Sequence, residues 1–268
     1  MRSAKQYNAF DHTFVVLAYG ESPYLDECIS SVVSQSVRGG NVRIATSSPC
    51  RYIDEAAEKY GIAVSENPVK GGGLISDFAF AYDTAETPLV TIAHQDDIYC
   101  SDYLGEVLKA VNRKSRPLIA FTNYSEMRNG KTVSSNTLLR IKRLMNLPVL
   151  LFPSSSTVRR SVLRFGNPIC CPSVLFCKDN IRGNPWSKNY RNDLDWETWI
   201  DLAPKKGDFV YCRKTLIQHR IHEDSGTSRF IADSTRERED REIIGRLWPE
   251  PAAKILAKAY SKAQNSNK

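Results

Sequence analysis

No stretch of the 268 residues approaches the roughly 18 to 20 consecutive apolar positions needed to span a bilayer. The opening MRSAKQYNAFDH also holds no apolar run fit for a signal-peptide core, so a cytosolic setting is the expectation. Cysteine gives no framework: Cys28, Cys50, Cys100, Cys170, Cys171, Cys177 and Cys212 are an odd seven at scattered spacings. That pattern fits neither a disulfide scaffold nor paired zinc ligands, and the thiols read as buried apolar side chains. Internal repeats are missing, and Gly71-Gly72-Gly73 matches neither a P-loop, since no Gly-Lys-Ser/Thr follows it, nor the spaced glycines of a dinucleotide fold. With 41% hydrophobic and 25% charged residues, a disordered or fibrous chain is excluded.

The length suits one large α/β domain or two small ones. A net charge of +7 admits an anionic partner: a nucleotide, nucleic acid or the face of a membrane. The densest charged run, Arg236 to Arg241, alternates Arg with Glu and Asp, so it reads as a solvated helix face rather than a nucleic-acid patch.

Through about residue 110 the pattern alternates strand and helix, which predicts a mostly parallel sheet covered on both faces. Thr13 to Ala18 reads as a strand, and Leu25, Cys28, Ile29, Val32 and Val33 fall on one helical stripe. Further strands are expected at Asn41–Thr46, Ile62–Ser65 and Leu89–Ala93, with helices at Ile53–Tyr60 and after Gly71-Gly72-Gly73. Beyond Pro117 the order is looser. A strand at Leu118–Tyr124, a basic helix at Leu138–Leu147, a helix at Asn192–Ala203, strands at Phe209–Tyr211 and Leu216–Ile221, and a helical tail from Asp233 are expected.

Several groupings can carry chemistry. Asp96-Asp97 follows a predicted parallel strand, at the end where α/β sheets collect ligands, and two adjacent carboxylates there are solvated, hydrogen-bonded or bound to magnesium or manganese. Gly71–Gly73, preceded by Lys70, is either a flexible turn or an approach for phosphate to backbone amides. Asp77, one turn into the next helix, is consistent with simple N-terminal charge stabilisation. In NDLDWETW, Trp196, Trp199 and Ile200 look like core, while Asp195 is a helix cap or a general base. His219 and His222 lie three apart on a predicted strand, hence on opposite faces, which disfavours a two-histidine zinc site and leaves a single histidine ligand open.

In this order the motifs resemble the family-2 glycosyltransferases of the GT-A fold. VVLAYGESPYLDECISSVVSQSV resembles the family's first strand and helix, and Asp96-Asp97 its D-x-D element, here read His94-Gln95-Asp96-Asp97. LDWETWIDLA resembles its base-bearing helix and HRIHEDSGT its late R-x-H segment, so the likeness covers about residues 12 to 228. It implies a GT-A α/β fold with a nucleotide-sugar half at 1–112, an acceptor and catalytic half at 113–228, and a helical segment at 229–268. It further implies transfer of a sugar, with inversion, from a nucleotide-diphosphate donor, foremost a UDP-sugar, to a saccharide or lipid-linked hydroxyl. Asp195 is then the base. Mn2+ or Mg2+ rests on Asp96 with Asp97 and His222, Tyr19, Ser47 and Asp77 meet the nucleoside, Lys70 or Arg220 the phosphates, and Gly166–Ser173 the acceptor. The implied setting is bacterial-type polysaccharide synthesis in the cytoplasm, with the basic 138–143 segment hinting at contact with an anionic membrane. The departures are His94 for the first acid, Ala45-Thr46-Ser47-Ser48 where relatives often place an aspartate against the uracil ring, and Leu194 where many have Glu. Two other classes share part of this logic: a nucleotidyltransferase, which would release pyrophosphate, and a non-catalytic nucleic-acid module, which would need exposed aromatics among its cations.

Overall fold

The computed structural model of the chain describes residues 5–186, 190–222 and 234–265, with side chains to 261. β1 (His12–Ala18) is buried on both faces, as a β-branched apolar run must be when helices cover both sides of a sheet. Phe14 and Val16 face one core; Val15 faces the other. α1 (Leu25–Val33) then buries Leu25, Cys28, Ile29 and Val32, the stripe that the spacing predicts. β2 (Asn41–Thr46), α2 (Arg51–Tyr60), β3 (Ala63–Glu66), α3 (Gly73–Thr84) and β4 (Leu89–His94) continue the alternation. These four strands lie parallel in the order β3-β2-β1-β4, so the carboxyl ends of β1, β2 and β4 share one rim.

The second half adds β5 (Ile98–Tyr99), α4 (Tyr103–Val111), β6 (Pro117–Arg128), β7 (Lys131–Val133), α5 (Thr137–Leu151) and α6 (Ser156–Leu163). It ends with β8 (Leu175–Cys177), α7 (Leu194–Leu202), β9 (Asp208–Ile221), α8 (Thr235–Leu247) and α9 (Glu250–Asn265). The sheet runs β3-β2-β1-β4-β8-β6-β9-β5, with β7 on the edge of β6. Three-residue β8 is antiparallel to both β4 and β6, and two reversals restore direction: β6, and β9 parallel to it, point the same way as β4. The end of β9 therefore reaches the same rim as β4.

Phe209–Tyr211 and Leu216–Ile221, expected as two strands, are one. The register slips between Thr122↔Cys212 and Asn123↔Thr215, so exposed Arg213 and Lys214 bulge out without ending the strand. One core gathers Phe14, Ile44, Leu25, Ile29 and Tyr103, the other Val15, Ile92, Phe176, Trp196 and Trp199. Each such side chain contributes roughly 1.5–3 kcal/mol by leaving water. No helix among the described residues is long and apolar enough to cross a membrane.

Candidate active site

β4 delivers His94 at its last position, and the turn after it carries Asp96 and Asp97. Asp97 is wholly buried. Its Oδ1 accepts from His219 Nδ1 at 2.9 Å and from the backbone N–H of Arg220 at 2.9 Å. Its Oδ2 and His94 Nε2 are buried with no hydrogen-bond partner among the described residues, and His94 Nδ1 lies 3.9 Å from that Oδ2. Asp96, partly exposed, holds His222 Nε2 at 3.1 Å from its Oδ2. Donor atoms of His94, Asp96 and Asp97 all fall within 4.8 Å of one another. An unpaired buried carboxylate oxygen is costly. Here, beside a second carboxylate and an imidazole nitrogen, it makes a donor set that suits Mn2+ or Mg2+.

Charge organises this rim. Burial would lower the His219 pKa, yet the Asp97 carboxylate, by charge and hydrogen bond, and Asp96 behind it raise it to about 9. Burial likewise works to raise Asp96, but the His222 hydrogen bond and the His94 and His219 charges bring it below the usual carboxylate value. The alternation that sets His219 and His222 on opposite faces stops at Ile221, where β9 ends, so His222 turns back and both imidazoles face the acidic pair. Glu223 to Thr227 of the HRIHEDSGT motif lie outside the described residues.

Arg220 reaches toward α1. Its Nε donates to the Asp96 carbonyl at 3.0 Å, and its guanidinium pairs with Glu27 and lies 4.3 Å over the Tyr24 ring. Tyr19, at the end of β1, is 64% exposed, while Gln95 clamps its backbone with bonds of 2.9 and 3.2 Å. Ser47 Oγ, past β2, donates to Asp77 Oδ2 at 2.9 Å, and Asn67 Nδ2, past β3, donates to Asp77 Oδ1 at 2.8 Å. Asp77 is thus a buried acceptor tying the ends of β2 and β3 to α3, a larger part than N-terminal charge stabilisation alone. Lys70 stands exposed on the loop before α3, paired with Glu66. Gly72 admits no side chain, because a Cβ would fall 2.5 Å from Ser76 Cβ.

Asp195 occupies the first turn of α7. Its Oδ2 accepts from Asn167 Nδ2 at 2.8 Å and its Oδ1 from Trp196 N–H at 2.7 Å. Burial raises its pKa above the carboxylate norm, against the opposing pull of Asn167, Trp196 N–H, Lys142 and His94. His94 therefore feels both Asp195 and the acidic pair. The Gly166–Ser173 loop carries Asn167, whose N–H donates to Tyr260 of α9 at 3.3 Å. Glu239 of α8 accepts from the N–H groups of Arg191, Asn192 and Asp193, which caps the start of α7. The solvated face expected for Arg236–Arg241 is half right. Glu237 and Arg241 pair in solvent, but Glu239, which accepts from the start of α7, and Asp240 are buried.

Asn67 and Glu239 escape the sequence reading, which has His94 and Gln95 only as a departure within the D-x-D element and Asn167 only as part of the Gly166–Ser173 loop. For His94 the signal was its place in the D-x-D element; the others show their partners only in three dimensions.

The description "Glycosyl transferase family 2" fits residues 13–174. No curated protein matches the chain. Among solved structures, S. aureus TarS 1–349 with UDP-GlcNAc superposes with TM-score 0.57 at 13% identity, covering 92% of this chain and 70% of that one. A mannosyltransferase from Pyrobaculum calidifontis with GDP-Man and Mn2+ gives 0.62 at 13%, covering 95% and 70%. This chain spans 64% of another TarS 1–349 structure and 38% of the longer TarS chain. At such identities the likeness establishes the architecture, that of the GT-A fold.

Proposed function

The chain belongs to glycosyl transferase family 2, and from that premise we propose that it is a glycosyltransferase that moves a sugar from a nucleotide-diphosphate donor to an acceptor hydroxyl with inversion at the anomeric carbon. The observation that carries this reading is that two unlike carboxylate environments, at Asp96 and at Asp195, both feel the charge of His94. Asp96, its pKa lowered, and Asp97 have His94, His219 and His222 around them, while Asp195, held by Asn167 and within reach of the His94 charge, has its pKa raised. Pairs of acids driven apart in this way divide cation binding from proton transfer. Asp195 takes the proton of the acceptor hydroxyl as its oxygen attacks the anomeric carbon and the bond to the diphosphate breaks. Asn167 fixes the direction of that carboxylate. Asp96, Asp97 and His222, with His94 alongside, would hold Mn2+ or Mg2+, which when bound neutralises charge developing on the departing diphosphate.

Residues 1–112 then bind the donor, with Tyr19, Ser47 and the Asp77 network at the nucleoside and Lys70 or Arg220 toward the phosphates; residues 113–228 present the acceptor. A UDP-sugar is the first donor to test. The S. aureus structure holds UDP-GlcNAc and the Pyrobaculum one GDP-Man, which supports a nucleotide sugar without choosing the base. A thermal-shift screen of UDP- and GDP-sugars with Mn2+, followed by detection of released nucleoside diphosphate, tests the reading. Stabilisation by one donor and its hydrolysis or transfer are expected; pyrophosphate release, or no donor binding with metal present, would refute it.

A further inference from the structure

From residue 127 to 178 the chain has no Asp or Glu, yet nine of its 37 Lys and Arg, so the remainder is net acidic. In the same segment lie exposed Ile141, Leu144, Leu151, Phe152 and Phe165. The two features coincide on α5. Its inner side buries Leu139, Asn146 and Val149, and Asn146 Nδ2 donates to the Pro168 carbonyl of the acceptor-side loop at 3.3 Å. Its outer side presents Arg140, Ile141, Leu144, Pro148 and Leu151 at helical spacing, and Phe152 follows directly, with Leu144 64%, Leu151 69% and Phe152 59% exposed. An aliphatic stripe of this size left in water has a cost that a partner would remove.

We propose that the outer face of α5, continued by Phe152, docks on a bilayer surface bearing anionic phospholipid, with Ile141, Leu144, Leu151 and Phe152 entering the headgroup layer and Arg140 meeting lipid phosphates. Aliphatic and aromatic residues beside cations, with acids absent, are what interfacial helices present. A second copy is a poor occupant, since pairing two faces that both lack acids opposes like charges. Nucleic acid would use the cations but leave the leucines without a role. Because Asn146 ties α5 to the loop that carries Asn167, docking sets the acceptor side of the active site against the lipid surface. This concerns where the enzyme works and is read without turnover, so it stands or falls apart from the transfer chemistry.

Flotation with vesicles of phosphatidylcholine, alone or with about a third phosphatidylglycerol, tests it. Binding only to the anionic vesicles, weakened by salt, is expected. Arg140→Glu should weaken it by at least about fivefold and Leu144→Glu with Phe152→Glu by more than about tenfold. Ile255→Glu, an exposed apolar position on α9, should bind as the parent does. All these positions are exposed, so melting temperatures should stay put. Equal binding to pure phosphatidylcholine, unchanged binding by the Leu144/Phe152 variant, or loss of self-association in that variant without loss of vesicle binding would overturn the proposal. Displacement from vesicles by oligonucleotide with no effect of the leucine change would overturn it in favour of nucleic acid.

Discussion

A carboxylate works as a base only while it is ionised and turned toward its proton, and at Asp195 these two needs pull on the same groups. Burial raises its pKa, while the Asn167 amide, hydrogen-bonded at 2.8 Å, favours the charged form and fixes the plane of the carboxyl. Asp195→Asn keeps the shape and cannot take a proton, so donor affinity by calorimetry should be unchanged while turnover falls by about 10²–10⁴-fold. Loss of donor binding along with turnover would place Asp195 in the donor site instead. Removing the amide with Asn167→Ala takes away a stabiliser of the carboxylate, so the Asp195 pKa rises further and the acidic limb of the kcat–pH profile moves to higher pH. A uniform drop in kcat with the limb unmoved would mean that Asn167 serves only the loop. Neither residue announces this partnership in sequence, since 28 positions separate them and Asn167 reads there as one more polar residue of a Gly-Asn-Pro turn.

Helix α7 is held at its start by α8, an arrangement that ties the placement of Asp195 to a helix far along the chain. Glu239 accepts three backbone N–H groups, and Asp193, beside it, faces Asp240 with both side chains buried. Burial first, then the Asp240 charge and Asp195, push the Asp193 pKa well up. An acid whose folded pKa is raised contributes stability that is fully present below its unfolded value, about 3.9, and is lost as pH climbs toward the folded one. Asp193→Asn should therefore flatten the decline in melting temperature above about pH 4 and melt higher than the parent at neutral pH. A parallel pH dependence in both proteins would show that Asp193 ionises freely. At this scale the sequence speaks clearly where a single period governs. The strands and helices up to β4 are legible because both-face burial gives β1 and β4 nearly unbroken apolar runs and the helices keep one stripe. The short β5, β7 and β8 are not, because two- and three-residue strands have no period to read; α4 goes unread although Tyr103, Leu104, Val107, Leu108 and Val111 keep a helical stripe. β8 is also the piece that reverses direction twice and so brings β9 to the active rim.

In the molecule as a whole, Asp96 and Asp97 look alike in sequence and part company in the fold. Asp96 stays partly exposed beside His222, while Asp97 is sealed between the end of β4 and the end of β9, balancing the raised His219. A cation that binds only the folded chain stabilises it by mass action, about 2.7 kcal/mol at a hundredfold excess over Kd. In a chain of this length that is a rise of roughly 5 °C in melting temperature on adding Mn2+, reversed by chelator. Asp96→Ala should melt like the parent without metal and lose the Mn2+ shift, together with more than about a hundredfold in turnover. His222→Ala should weaken the manganese response and leave the metal-free melt nearly in place. Asp97→Ala should behave otherwise: it strands a half-buried imidazolium and frees the Arg220 N–H, so the metal-free melt itself should fall. If Asp97→Ala instead kept the parent's metal-free melt and lost only the Mn2+ shift, the clasp between β4 and β9 would not be structural, and both aspartates would be ligands alone.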